Sequence, residues 1–161
     1  MKRVLTRHKF RHFGPYLAEM EVDPDYCARL LKRGKALKQP HKKYLAGQIE
    51  HEDGYDLQKD PWIFEELQIY INTWIEGWKK FSNKPAFNPT YQLIQMWINR
   101  MRAKEYNPVH THTDCDLSFV LWLEVPSRIL QEKNITNAAP HGSTSFFYGE
   151  NHWSVVSDHA I

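Results

Sequence analysis

Two histidines and two aspartates stand within seven residues, in the run His110-Thr111-His112-Thr113-Asp114-Cys115-Asp116. Imidazole nitrogens and carboxylate oxygens are the common protein ligands of divalent first-row metals. On an extended strand, side chains alternate faces with period two. His110 and His112 then point the same way, with Asp114 and Asp116 just beyond. The run fits three chemistries. A non-haem iron(II) site takes two His and one carboxylate on one face of an octahedron and leaves positions for a keto acid and oxygen. A zinc hydrolase site uses His-x-His-x-Asp, here His110, His112 and Asp114. Such a run normally ends a strand, leads into a helix and has another His after the Asp; here Cys115 follows, and the next predicted element is a strand. The third reading is a polar loop that holds no metal. With nine His in the chain, chance pairs are common, and a motif is a hypothesis until its context is known.

The flanks must position the run. Residues 91–99, Tyr-Gln-Leu-Ile-Gln-Met-Trp-Ile-Asn, and residues 117–125, Leu-Ser-Phe-Val-Leu-Trp-Leu-Glu-Val, are rich in aromatic and β-branched residues and are predicted to be strands of one sheet. Upstream, Asp23-Pro24 is a helix start, with Asp as N-cap and Pro at the first helical position. Tyr26, Cys27, Leu30 and Leu31 follow at helical spacing, Lys32, Arg33 and Lys35 suit the C-terminal end of the dipole, and Gly34 is expected to end or weaken the helix. Asp60-Pro61 repeats the signal. Ile63, Leu67, Tyr70, Ile71, Trp74 and Trp78 make one apolar stripe over 61–80, and the Trp74 side is expected to pack on a sheet.

Between the helices, 35–60 is polar and reads as a loop, of a length more often functional than idle. Residues 9–22 read as an extended lead-in with a turn at Gly14-Pro15. After Pro126 come a loop with one helical turn in 128–133, a short strand in 144–148, a turn, and a further strand from Trp153 to Val156. Helices first and strands later argue for an α+β domain with helices on one side of a sheet, and against alternating βαβ units.

The chain of 161 residues suits a single domain, 1–161. Aromatic residues make up 14% of it, too many for a disordered chain. A formal charge of +2 gives no argument for nucleic acid. No apolar run approaches the ~20 residues of a membrane helix. No apolar stretch follows the charged N-terminus, so no signal peptide is read and the expected location is the cytoplasm. Cys27 and Cys115 are expected to be free thiols in a reducing compartment.

Several segments carry a resemblance: Met96-Trp97-Ile98-Asn99, Glu105-Tyr-Asn-Pro-Val-His110-Thr-His112, and Asp116-Leu-Ser118-Phe-Val-Leu-Trp-Leu-Glu-Val-Pro126. Together they resemble the central block of 2-oxoglutarate/iron(II)-dependent oxygenases encoded by bacteriophages, prolyl-hydroxylase-like proteins. Leu45-Ala-Gly-Gln-Ile49 and Phe146-Phe-Tyr-Gly-Glu150 also resemble parts of that group. The resemblance implies a double-stranded β-helix, or jelly roll, with N-terminal helices packed on one sheet. It implies iron(II) and 2-oxoglutarate as cofactors, and hydroxylase chemistry in the host cytoplasm. His110 and His112 match the proximal metal segment, with His112 where the family has Asp, so Asp114 or Asp116 is left to supply the carboxylate. Trp97, Asn99 and Ser118 match residues lining the cofactor block.

The end of the chain departs from the family. The family's distal His and its 2-oxoglutarate-pairing Arg come after the Tyr-Gly-Glu segment. Here no Lys or Arg follows Lys133. His152 and His159 are the candidates to replace the distal ligand, and Arg102 or Lys104 the candidates for the anchor. The expectation is therefore an oxygenase-like protein that is incomplete or inactive at its C-terminal half-site. A homo-oligomer or virion partner would cover that edge. The alternatives are a non-enzymatic jelly-roll virion or interaction module, and third the His-x-His-x-Asp hydrolase.

Overall fold

The computed structural model describes residues 7–12, 14–41, 46–133, 142–148 and 154–156. The fold is α+β: β1 (His8–His12), β2 (Tyr16–Met20), α1 (Pro24–Lys35), β3 (His51–Gly54), α2 (Trp62–Ser82), β4 (Trp97–Arg100), α3 (Ser127–Leu130), β5 (Ser145–Phe147) and β6 (Ser154–Val156). The strands form three two-stranded antiparallel sheets, β1–β2, β3–β4 and β5–β6. Two compact units result, one of Met1–Val22, Ile69–Phe87 and Glu124–Ile161, the other of Asp23–Gln68 and Asn88–Leu123. Among the described residues no helix is long and apolar enough to cross a membrane. Cys27 and Cys115 are free thiols.

In the first unit, β1 and β2 make a hairpin whose turn contains Gly14 at φ 73°, a left-handed value that favours glycine. A β-carbon there would lie 2.4 Å from the Tyr148 ring. Trp74 of α2 packs on Tyr16 of β2, with ring centres 5.4 Å apart, and Phe81 lies against the same Tyr16 at 5.1 Å. The aromatic side of α2 does meet a strand, but one of the N-terminal hairpin.

The second unit holds the core that positions the candidate site. Asp23 caps α1, its Oδ1 accepting the backbone N–H of Asp25 at 2.8 Å and of Tyr26 at 3.3 Å, an arrangement that contributes about 1 kcal/mol. Tyr26, Leu30 and Gly34, four residues apart, form the buried stripe of α1. The Tyr26 hydroxyl donates to the Ile63 carbonyl at 2.9 Å, and Arg33 pairs with Asp60 at 2.7 Å. Leu37, Ile49, Tyr55, Ile63, Leu67, Met96 and Ile98 complete this core. Gly34 stands in the last turn of α1, one residue before its end at Lys35. It lies inside the helix, buried, where a β-carbon would come 2.5 Å from Ile98 Cδ1 and 2.7 Å from the Tyr55 hydroxyl.

Two strand expectations are corrected. Of 91–99, only Trp97 to Asn99 enters a strand, and that strand runs on to Arg100; 91–96 is irregular. Residues 117–125 form no strand, although they are mostly apolar. β4 takes its partner from the polar segment read as loop, pairing His51 with Arg100 and Gly54 with Trp97. A pattern of apolar residues marks what can be buried; a ladder also needs a partner edge at the right place.

Candidate functional site

Residues directly opposite each other in an antiparallel ladder share a face. The β3–β4 pair therefore has two distinct faces. On one, Asp53 stands opposite Ile98 and His51 opposite Arg100. Ile98 fits against Gly34 of α1, and the Arg100 guanidinium donates to Asp53 Oδ2 at 2.5 Å. That face belongs to the core.

The other face carries Glu52 opposite Asn99 and Gly54 opposite Trp97. Gly54 leaves room for His41: a β-carbon on it would lie 3.2 Å from His41 Nδ1. The His41 ring stacks on Trp97, centres 5.6 Å apart and planes 19° apart. Beyond Trp97 lies His112 at 6.2 Å, and His110 meets His112 edge-on at 4.9 Å. One row of rings thus runs His41, Trp97, His112, His110.

His110 Nδ1 is 2.7 Å from the carbonyl oxygen of Pro108. A carbonyl can only accept, so Nδ1 carries the proton, and the Nε2 lone pair of neutral His110 is left for another partner. Metal-ligating histidines are commonly oriented by such a bond from the second ring nitrogen. His112 is exposed as a residue, yet Trp97 and His110 crowd its ring. Loss of water pushes its pKa down, and the neighbouring His110 adds to the effect. The neutral ring, the form that can bind a metal, is favoured.

Ring centres of two imidazoles bound side by side to one ion, with metal–nitrogen bonds of ~2.1 Å, lie roughly 4.5–5.3 Å apart. The His110–His112 spacing falls in that range. Among the described residues, neither Asp114 nor Asp116 joins the pair. Asp114 adopts φ 61° in a turn, and both Asp114 and Asp116 are exposed. Among the described residues no group of three or more His, Cys, Asp or Glu side chains is placed to hold a metal ion. His152 and His159 lie outside the described residues. Trp97 and Asn99 share the site face, whereas exposed Ser118 has its hydroxyl 3.9 Å from Cys115 Sγ.

The anchor candidates are also placed. Arg102 binds the Glu50 carboxylate and reaches His51 Nε2 at 2.9 Å, so its guanidinium is engaged. Lys104 is exposed, at φ 72° in a turn. Beside His41 a groove of about 330 Å³ is lined by Tyr55, Leu57 and Met96 among others, with Asp56 at its wall. Its lining contains no Lys or Arg, which suits it poorly to a dicarboxylate.

Two residues of this face escape sequence reading. His41 stood in a segment without period. Glu52 is only 1% exposed, and its carboxylate lies against the Cα of Gly47, where a β-carbon would come within 2.5 Å of Oε1. The signal for both was a glycine: Gly54 makes room for His41, and Gly47 for Glu52. Compared with known proteins, the chain matches no family model, no curated protein and no solved structure.

Proposed function

We propose that this chain is an oxygenase-like protein of the iron(II)/2-oxoglutarate class, built on a jelly roll and encoded by a bacteriophage, acting in the host cytoplasm. The reading rests on the resemblance of 96–126. The observation that carries it is the His110–His112 pair, with ring centres 4.9 Å apart and the His110 tautomer set by Pro108. These two side chains would hold the ion. His152 remains the candidate for a further ligand; among the described residues no third His, Cys, Asp or Glu, Asp114 and Asp116 included, joins the pair.

When bound, iron(II) with 2-oxoglutarate and oxygen supplies oxidative decarboxylation and hydrogen removal from a substrate C–H bond. The chain's own contribution is narrower. Pro108 orients His110, and crowding by Trp97 and His110 keeps His112 neutral. Trp97 stands beside the His112 ring, at 6.2 Å between centres.

The test is metal analysis of protein loaded with iron(II) in the absence of oxygen. Wild type is expected to retain iron and His110→Ala/His112→Ala to lose it; equal iron in both removes the pair as ligands. Retention of zinc that depends on Asp114 favours the hydrolase reading instead.

A second reading is a non-enzymatic jelly-roll module that docks to a virion partner or to its own copies. The occupied guanidiniums favour it: Arg100 is held by Asp53 and Arg102 by Glu50 and His51. A keto acid without a bidentate Arg loses one or two charge-assisted hydrogen bonds, each contributing ~1.5–3 kcal/mol. Succinate release from 2-oxoglutarate by the isolated chain is therefore expected to be slow or absent. Robust release that His110→Ala abolishes would overturn the second reading.

A further inference from the structure

His110 and His112 lie on a stretch with no regular hydrogen-bonded element: from Met101 to Pro126 no helix or strand is formed. A set of contacts made just before the run ties its entry to β3. Those contacts converge on Glu105. Its Oε1 accepts the backbone N–H of Glu50 at 2.8 Å, and its Oε2 accepts the backbone N–H of Arg102 at 2.6 Å. The Glu105 N–H donates to the Arg102 carbonyl at 3.1 Å and closes the turn in which Lys104 takes its left-handed φ. One residue on, the Tyr106 carbonyl accepts from Gln48 N–H at 2.9 Å. The side chain of Arg102 crosses to Glu50 and His51. Two residues past Tyr106, Pro108 holds His110 Nδ1.

We propose that Glu105 is a positioning residue: its two carboxylate oxygens clip the entry of the histidine run to the start of β3 and so hold His110 and His112 beside Trp97. Both oxygens are needed, since each meets a different N–H donor. Glutamine has nearly the same shape but one acceptor, and its NH₂ would face the second N–H. The clip also holds its carboxyl below the usual range, through the backbone N–H groups of Arg102 and Glu50 first. Only the metal-affinity part of this inference rests on the proposed function; the placement of the rings does not.

The experiment compares full-length wild type, Glu105→Gln and Arg102→Gln by NMR, without metal and then with iron(II) under reducing, oxygen-free conditions. Wild type is expected to show cross-peaks between the His110 and His112 rings and a ring-current shift of His112 from Trp97. Glu105→Gln is expected to lose both while the Ile98 methyl signals, on the opposite face, stay in place. Arg102→Gln keeps its backbone N–H, and so both clip bonds, and is expected to keep the ring signals. Iron(II) affinity of Glu105→Gln is expected to fall about tenfold or more, the scale on which loss of a ligand-orienting contact acts.

Unchanged ring signals in Glu105→Gln overturn the proposal. So does their loss in Arg102→Gln, which assigns the work to the guanidinium, or displacement of Ile98 in Glu105→Gln, which makes the carboxylate a general fold element. Ring signals lost in Glu105→Gln with no iron bound even by wild type leave the clip standing and remove the metal reading.

Discussion

Ile98 of β4 occupies the space where Gly34 of α1 would carry a β-carbon, with its Cδ1 2.5 Å from that position. The strand that bears Trp97 and Asn99 on its far face is thereby set close against the helix. The Tyr55 hydroxyl closes the same gap at 2.7 Å while donating to the Leu30 carbonyl at 2.9 Å.

Gly34→Ala tests that approach. Alanine favours a helix by about 1 kcal/mol over glycine, and overpacking of a filled core costs about 1–3 kcal/mol. Ile98 can turn its terminal methyl, but Tyr55 cannot retreat without breaking a buried hydrogen bond. The clash is expected to win, with a net loss of up to about 2 kcal/mol in denaturant unfolding. A stabilised variant would show that the gap is looser than described.

Tyr55 gives an alkaline prediction. Burial pushes its phenol up from 10.0 to about 12, the Arg33 charge opposing and Asp60 adding. A group raised in the folded state contributes stability below its unfolded pKa and loses it as pH rises through the folded one. Stability is therefore expected to fall between about pH 10 and 12, by a few kcal/mol in all, since each pKa unit is worth about 1.4 kcal/mol. Tyr55→Phe should start lower by about 1 kcal/mol and lack this fall. Phenolate absorbance and unfolding, followed together against pH, check both.

Removing one partner of the Asp53–Arg100 pair should cost more than removing both. Asp53 is 6% exposed. Arg100→Met leaves that carboxylate buried without its guanidinium, at about 2–4 kcal/mol, less than for a fully buried pair because Arg100 is partly exposed. Asp53→Leu combined with Arg100→Met is expected to recover part of the loss in a double-mutant cycle. Strict additivity would deny the coupling.

His112 gives an acid prediction. Its pKa lies below the ordinary 6.5, from burial first and from His110 second. The folded ring binds a proton less readily than the unfolded one. Its contribution to stability is present above about 6.5 and is lost as pH falls through the lowered value. NMR titration should place His112 below a free histidine, and His110→Ala should raise it only part of the way. A value at or above 6.5 in the wild type would show that the ring is not crowded by Trp97.

The helices were legible because their signals are local. Asp23-Pro24 does cap α1, and the stripe from Ile63 to Trp78 does lie on α2. The Gly14-Pro15 turn and the short strands near Phe146 and Val155 were legible for the same reason. β3 was not. Its residues His51, Glu52, Asp53 and Gly54 are polar or small, and only distant partners make their burial tolerable: Arg100 for Asp53, Trp97 opposite Gly54. The run 117–125 failed in the opposite sense, with a strand's composition but no ladder. In the site, the i, i+2 spacing brought His110 and His112 to notice. His41 joins them only through Trp97, a contact no spacing along the chain reveals.

The β3–β4 ladder also has a kinetic side. Asp53 and Arg100 are 47 positions apart, so the closing entropy of a long loop must be met before any rung forms. Four polar or small residues offer β3 no reason to collapse early, whereas α1 and the first turns of α2 can form from neighbouring residues alone. The ladder is expected to assemble after the rate-limiting step, so that changes at Asp53 or Arg100 speed unfolding and leave the refolding rate nearly unchanged. The lifetime of the histidine row would then be set by how seldom this short ladder opens.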